Sequence, residues 1–390
     1  MIGLYFFIVS LDSISFTFLG SVLAPLLAQH TGFFSGAVSS LWSHVMYGIV
    51  IALFPLVYAL SSPMLGALSD RWGRKSVTLG CLVMTLLGFV SYALAFYSGS
   101  LGVLLLGRVL AGIGCANECI VQAAVMDAVE PKAKPKVVSF IAIAMTMGLF
   151  LGPLIATVWA HYAAVYIFSV MLGLIVLAIV LLVRTRVSSA VTSLTHTPAW
   201  RFLWQAAEVR RALWVFVFFE LGWSLYFQAI PLVLSVRWQQ GHEIVGYLGS
   251  GIGGALILCL FIINRIHVRF CLVERWIRCA LWLGVAAFLA NILLPSLGLF
   301  CVYACPIVLA VAILYPFLIV RLSDLSKEHH GFIIGVAGAL LSFAFALNGF
   351  LASLMTYIDD RLPFLVAGLC WIIALFFIKP CKAGHVGYKS

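Results

Sequence analysis

Four ionisable side chains, Asp12, Arg108, Glu118 and Glu220, each fall inside an otherwise apolar run of this chain. An ionisable group in the hydrocarbon of a bilayer costs at least ~2.5 kcal/mol on the insertion scale, so function is its default reading. Carboxylates that are desolvated or close together favour the protonated form, and one of them can bind a proton on one side of a barrier and release it on the other. A carboxylate can equally hold a cationic solute, and competition of solute and proton for one acid would itself give exchange. The residue types therefore predict Asp12 and Glu118 as a proton-linked pair. Arg108 would tune that pair or bind an anion, and Glu220 would touch the transported solute. Any single one of the four also fits a structural role, satisfied by a neighbouring Ser, Asn or Arg.

The elements that must hold these groups follow from composition. The 390 residues are 64% hydrophobic and 9% charged, too little polar surface to cover a soluble globule. The apolar runs are long enough to span as helices, and the alternation of a membrane barrel is absent. The fold class predicted is all-α integral membrane, with twelve spans over residues 3–28, 45–66, 76–97, 101–126, 137–160, 164–183, 212–235, 244–264, 276–295, 299–320, 332–355 and 364–378. At ~1.5 Å per residue, Asp12 lies ~15 Å from the inner end of the first span, Glu118 ~14 Å from Asp127 and Glu220 ~12 Å into the seventh, so the three acids share one depth. Arg108 should lie ~15 Å further outward than Glu118.

The net charge of +10 does not indicate a nucleic-acid partner, because the cations are sorted by topology. With both termini cytoplasmic, 20 of the 23 Lys and Arg fall on the inner side, as the positive-inside rule requires. The first span has no basic leader and contains Asp12, so it is expected to stay as a helix and not to be cleaved. Cysteines in the spans, including the i, i+4 pairs Cys115/Cys119 and Cys301/Cys305, read as packing residues, with no metal site or disulfide framework expected. The absence of an Asn-x-Ser/Thr sequon favours a bacterial source, hence the inner membrane.

The connection 184–211 separates six helices (1–183) from six (212–390) and carries an aromatic stretch, Trp200 to Trp204, suited to an interfacial helix. Asp12 and Glu220 sit at matching depths of helices 1 and 7, each followed by a proline, Pro25 and Pro231. Asp127 after helix 4 likewise matches Asp324 after helix 10. Two pseudo-symmetric six-helix bundles around a central cavity is the plan these repeats imply. Along helix 5, Ala144, Gly148, Gly152, Ala156 and Ala160 form a row of small residues, and Gly246, Ser250 and Gly254 form another on helix 8; these are predicted to meet at the seam between halves. Pro153 should bend helix 5. Further polar candidates for the cavity are Ser13, Thr17, Asn117, Gln122, Tyr226, Gln228, Asn291 and Asn348, with Trp223 and Phe227 as an apolar wall. His44 and His161 are placed at the outer interface.

Between helices 2 and 3 the chain reads GALSDRWGRK. Gly66 would let the two helices approach, Asp70 would cap helix 3, Gly73 would permit the turn, and Arg71, Arg74 and Lys75 would face the cytoplasm, near Asp127 and Glu130. On this decapeptide, on Arg108 with Gly112 and Gly114, and on Gly148, Gly152 and Pro153, the chain resembles the major facilitator superfamily, in particular its twelve-helix drug:proton antiporters of the tetracycline and multidrug exporter type. Ala156 and Thr157 depart from the antiporter pattern, where a glycine pair follows the proline, and Glu220 has no required counterpart in that branch. The resemblance implies that Arg74 and Asp127 latch an inner gate. It also implies a monomeric carrier that is no enzyme, needs no cofactor beyond the proton gradient, and has protons, a small-molecule substrate and the lipid bilayer as partners. The expected activity is proton-coupled export of a drug-like or amphipathic molecule by alternating access. A carrier for one metabolite, such as a siderophore, sugar or amino acid, and a receptor that kept the fold without transport, stay open as alternatives.

Overall fold

The structure is a computed structural model that describes residues 2–34, 39–118, 120–121, 124, 134–159, 164–185, 207–263, 273–293, 296–325 and 330–378. Among them are α1 (Ile2–Ala28), α2 (Ser40–Trp72), α3 (Arg74–Ser98), α4 (Leu101–Cys115), α5 (Lys134–Trp159) and α6 (Ala164–Arg184). They are followed by α7 (Ala207–Arg237), α8 (His242–Ile263), α9 (Val273–Leu293), α10 (Leu297–Asp324), α11 (His330–Ile358) and α12 (Leu362–Phe376). The described residues form no strand. Eight of these helices are long and apolar enough to cross a membrane, and four further apolar helices are shorter over their described residues.

Local chemistry sets several boundaries. The Ser39 hydroxyl accepts from the Trp42 amide at 3.2 Å and starts α2, as a serine N-cap should. Gly99, at φ 66°, ends α3, and Ser100 caps α4. Gly73 joins α2 to α3 at φ 87°, a backbone state that glycine adopts without strain. It is itself the N-cap of α3, with no side-chain cap bond. Asp70 lies in the last turn of α2, and its side chain, to which capping of helix 3 is assigned from the sequence, is outside the described residues.

Two spans differ from the reading of the sequence. Helix 4, expected to be continuous over 101–126, is interrupted after Cys115 by a turn at Ala116 and Asn117. The Asn117 amide reaches the Gly114 carbonyl at 3.4 Å, and Val121 restarts on the Asn117 carbonyl at 2.9 Å. Helix 7 begins at Ala207, inside the stretch assigned to the connection, most of which, including Trp200 to Trp204, lies outside the described residues.

Packing repeats with an offset of six helices. In the first set α1 packs on α5, α3 on α4 and α6, and α2 on α4; in the second α7 packs on α11, α9 on α10 and α12, and α8 on α10. The cores correspond as well. Phe18 of α1 meets Phe89 of α3 and Phe168 of α6, at ring separations of 6.4 and 5.7 Å. Tyr226 of α7 meets Phe288 of α9 at 5.4 Å, and Phe288 meets Trp371 of α12 at 5.0 Å.

The two sets touch through α2 on α11 and α5 on α8, which are one relation taken in both directions. The predicted α5 to α8 contact is present, but with different faces. Gly148 and Gly152 turn toward α1, where an added Cβ would strike Ser13 and Thr17. The face of α5 toward α8 is Phe150, Pro153 and Thr157, and it is α8 that supplies the glycines, Gly246, Gly249 and Gly253. Gly253 comes closest to the α5 backbone, an added Cβ there lying 2.6 Å from the Phe150 nitrogen, and the predicted Gly246 and Gly254 also face α5, against Thr157 and the Phe150 ring.

Candidate transport site

The interruption of α4 builds the site. Asp12, on α1, is 4% exposed, and among the described residues neither carboxylate oxygen has a hydrogen bond of good geometry. It stands beside Cys115 and Asn117, with Glu118 in electrostatic range. Asn117, freed from the helix, is fully buried with both amide atoms unpartnered. Glu118 is half-buried and accepts from the Tyr58 hydroxyl of α2 at 2.9 Å. A continuous helix would tie Asn117 and Glu118 into its regular rows; the turn re-aims them toward α1 and α2.

Glu220, on α7, is 1% exposed, again with both oxygens unpartnered. Tyr315 of α10 lies within electrostatic range of both Glu220 and Glu118. The structure therefore brings Asp12 and Glu118 together, and Tyr315, which nothing in the sequence singles out, lies within electrostatic range of both Glu118 and Glu220. Tyr58 was equally hidden, sixty residues from its partner Glu118.

Arg108 is elsewhere, and its expected tuning of the acids is not by contact. Its Nε donates to the Val50 carbonyl at 2.7 Å and Nη2 to the Ile51 carbonyl at 2.8 Å. The guanidinium also sits 4.8 Å from the centre of the Phe54 ring, within cation–π range. Pro55 explains the bond to Ile51: it has no N–H for the carbonyl four residues earlier, and a donor from another helix fills the gap. That signal was present in the sequence as a proline inside a span.

Several other candidates serve packing. Ser13 and Thr17 face α5, the Thr17 hydroxyl donating to the Gly148 carbonyl at 3.1 Å. Asn348 donates to the Leu221 carbonyl at 2.8 Å, tying α11 to α7. Gln228 donates to the Phe345 carbonyl at 3.3 Å. Asn291 and the Tyr226 hydroxyl are buried without partners, and Trp223 and Phe227 lie 5.7 Å apart as a ring pair. Gln122 and His161 are outside the described residues. His44 is not at a free interface but buried between the sets, its ring 5.3 Å from Tyr357 and its carbonyl accepting from Ser353 at 2.7 Å.

At the opposite end, Arg74 Nη1 donates to the Ser69 hydroxyl at 2.7 Å, and Ser69 in turn to the Gly66 carbonyl at 2.7 Å. Lys75 reaches the Val183 and Thr185 carbonyls at 2.9 and 2.7 Å, closing the C-terminus of α6 where a cation is favoured. Arg71 is exposed. Asp127 and Glu130, the partners implied for these cations, lie outside the described residues. Among the described residues no three metal-binding side chains gather.

Among the described residues, side-chain contacts joining the two sets at the end remote from this loop are those of His44, Gly48 and Ile51 with the last turns of α11 and of Pro153 and Thr157 with the first turns of α8, and deeper in, Phe16 meets Phe345 at 5.1 Å and Phe150 adjoins Gly253. A helical bundle with buried acids along a seam between two matching halves is the build of a multi-pass membrane carrier. The family profile described as Major Facilitator Superfamily matches residues 5–278, and the chain belongs to that family of transporters, which move small molecules and are not enzymes. It is 32% identical over 146 residues to the class H tetracycline resistance protein of Pasteurella multocida, covering 37% of this chain and 34% of that one. It is 30% identical over 164 residues to the human major facilitator superfamily domain-containing protein 10, covering 37% and 35%. The chain thus matches about a third of the length of these curated relatives. Among solved structures, the human organic anion transporter MFSD10 superposes with TM-score 0.72 at 20% identity, over 97% of this chain and 98% of that one. A D-xylose-proton symporter superposes with TM-score 0.75 at 14% identity, over 98% and 99%. Both show the shared fold.

Proposed function

We propose that the chain is a proton-coupled secondary transporter that exports drug-like or amphipathic small molecules by alternating access. It would act as a monomer of two six-helix bundles, 1–183 and 212–390, in a bacterial inner membrane with both termini cytoplasmic. The observation that carries this reading is Asp12, a buried carboxylate with no cation beside it among the described residues, set with the neutral Cys115 and Asn117 and with Glu118 at the break in α4. Its charge can be neutralised by a proton or by a bound cation, and the two ligands exclude one another. Tyr315 of α10, within electrostatic range of both Glu118 and Glu220, supports a coupling of the acids of the two halves. The gathering of the described inter-half contacts toward one end supports a state open toward the other, from which the halves rock. Similarity to tetracycline resistance proteins supports export of an amphipathic ring compound.

The test is proton-driven uptake of a cationic dye and of tetracycline into inverted, energised vesicles. Asp12→Asn and Glu118→Gln are expected to abolish accumulation, while Asp12→Asn keeps downhill exchange of preloaded solute, which shows that it is folded. Unchanged accumulation in both variants would end the coupling proposal.

A further inference from the structure

Arg108 carries a charge that nothing around it balances. Its side chain is 1% exposed, and the groups that surround it electrostatically are Tyr92, Cys115 and Tyr47, with no carboxylate among them. Two of its nitrogens are committed to carbonyls of α2, whereas Nη1 has no hydrogen bond of good geometry among the described residues, the neutral Tyr92 hydroxyl being the polar group beside the guanidinium. Backbone carbonyls and a phenyl face offer partial charge only. A buried cation without a counter-charge is costly, and the usual resolutions are a paired anion or a bound ligand.

Arg108 also lines a cavity between the halves, together with Phe16, Thr17, Gly20, Ser21 and Gln228. The cavity measures about 30 Å³, room for one or two water-sized groups. Its polar lining is hydroxyl and amide, so Arg108 brings the one full charge to it. It lies on the sealed side of the molecule, next to the Pro153 contact with Gly249, and its lining on α1 begins at Phe16, one turn beyond Asp12.

We infer that this cavity is a binding site for a small monovalent anion, either a halide or the carboxylate head of an organic acid, held by Arg108 with the Ser21 hydroxyl of α1 and the second amide hydrogen of Gln228 of α7. The anion supplies the counter-charge the chain omits. It touches both halves, so it ties anion occupancy to the closed state of that end. The site stands whether or not Asp12 carries a coupling proton.

The experiment uses the purified full chain in lipid nanodiscs without a proton gradient, so its failure is separable from a failure of proton coupling. Thermal unfolding is titrated with sodium chloride and with sodium benzoate, sodium sulfate, whose divalent anion lies outside the proposed class, replacing each to hold ionic strength constant. A saturable rise in melting temperature is expected in the wild type. A response to chloride identifies a halide site, and a response to benzoate alone identifies a carboxylate head group. Arg108→Gln is expected to lose the saturable response. Because that change also orphans the Ile51 carbonyl, it is paired with Pro55→Ala, which restores the missing N–H in α2. The double variant should regain the melting temperature of anion-free wild type and still lack the response. Gly20→Leu gives a second route: a Cβ at Gly20 meets nothing within 4 Å, so the side chain fills the cavity and leaves Arg108 in place. It should weaken the anion by about tenfold or more through exclusion from the pocket. No saturable response in the wild type, or an undiminished one in Gly20→Leu, would overturn the inference.

Discussion

Gly148→Ala is the smallest change that should disturb the proposed coupling site without touching an ionisable group. A Cβ at residue 148 would lie 2.1 Å from Ser13 Cβ, 2.6 Å from the Ser13 carbonyl carbon and 2.8 Å from the Ile14 nitrogen. Carbon atoms pack at about 3.5–4.0 Å, so α1 and α5 must separate by more than about 1 Å. Two of the three obstacles are backbone, and no rotamer change relieves them. Overpacking of this kind costs ~1–3 kcal/mol, to which a weakened Thr17 to Gly148 hydrogen bond, now 3.1 Å, adds up to ~1 kcal/mol. Asp12 adjoins Ser13, so the shift carries the carboxylate away from Cys115 and Asn117. Thermal unfolding in nanodiscs and proton-driven uptake should both fall. Ser13→Gly in the same chain removes the 2.1 Å obstacle but keeps the 2.6 Å one, so a double-mutant cycle should show partial recovery. Gly20→Ala on the same face of α1 is the control, since its Cβ meets open space. Wild-type melting and uptake in Gly148→Ala, or losses as large in Gly20→Ala, would refute this account of the packing.

Two further outcomes are expected at the ends of the molecule. Lys75→Met removes the donor for the Val183 and Thr185 carbonyls, so amide exchange should accelerate in the last turn of α6, with a global cost under ~1 kcal/mol for so exposed a contact; an unchanged exchange pattern argues against the capping role. At the other end Asp360 pairs with Arg237 at 3.3 Å, yet burial raises its carboxyl above the usual range by more than Arg237 lowers it. The folded chain then holds that proton more tightly than the unfolded one, so this group's contribution is greatest below pH ~4 and declines as pH rises through the raised value. Asp360→Asn should flatten the dependence of melting temperature on pH just above 4, and an unaltered slope would remove Asp360 as its source.

The parts of this molecule legible in its sequence are those with a one-dimensional signature. Apolar runs give helices, Gly73 between two charged stretches gives a tight turn, and intramembrane acids at equal depth give Asp12 with Glu118. What stayed hidden depends on rotation about helix axes. The small-residue row of α5 was visible, but its face was not: only in three dimensions does Gly148 meet Ser13 while Pro153 meets Gly249. The turn at Ala116 and Asn117 has neither proline nor a glycine at its centre, so no local rule marks it. Tyr58 and Tyr315 look like ordinary aromatic residues of a span until Glu118 is placed between them. Arg108 was legible as a charge, whereas its engagement with α2 needed the proline at residue 55 to be read as a missing donor.

The two faces of α5 have a mechanical consequence for the proposed cycle. On the α1 side the contact is helix against helix at glycine, bridged by the Thr17 hydroxyl; backbones this close slide only by breaking many contacts at once. On the α8 side the backbones are as close, an added Cβ at Gly253 lying 2.6 Å from the Phe150 nitrogen and one at Gly246 2.7 Å from the Pro153 carbonyl oxygen, and among the described residues the hydrogen bond across it, Thr157 to the His242 carbonyl, is longer at 3.4 Å. The second contact joins the two sets, so it is the one that must part when they rock. Rocking across it moves α1 and α5 as a unit, so Asp12 keeps its neighbours on α4 while its relation to Tyr315 and Glu220 changes. Protonation of Asp12 can then bias the rocking through the far half alone, which is what an acid must do to couple a proton to the position of the barrier.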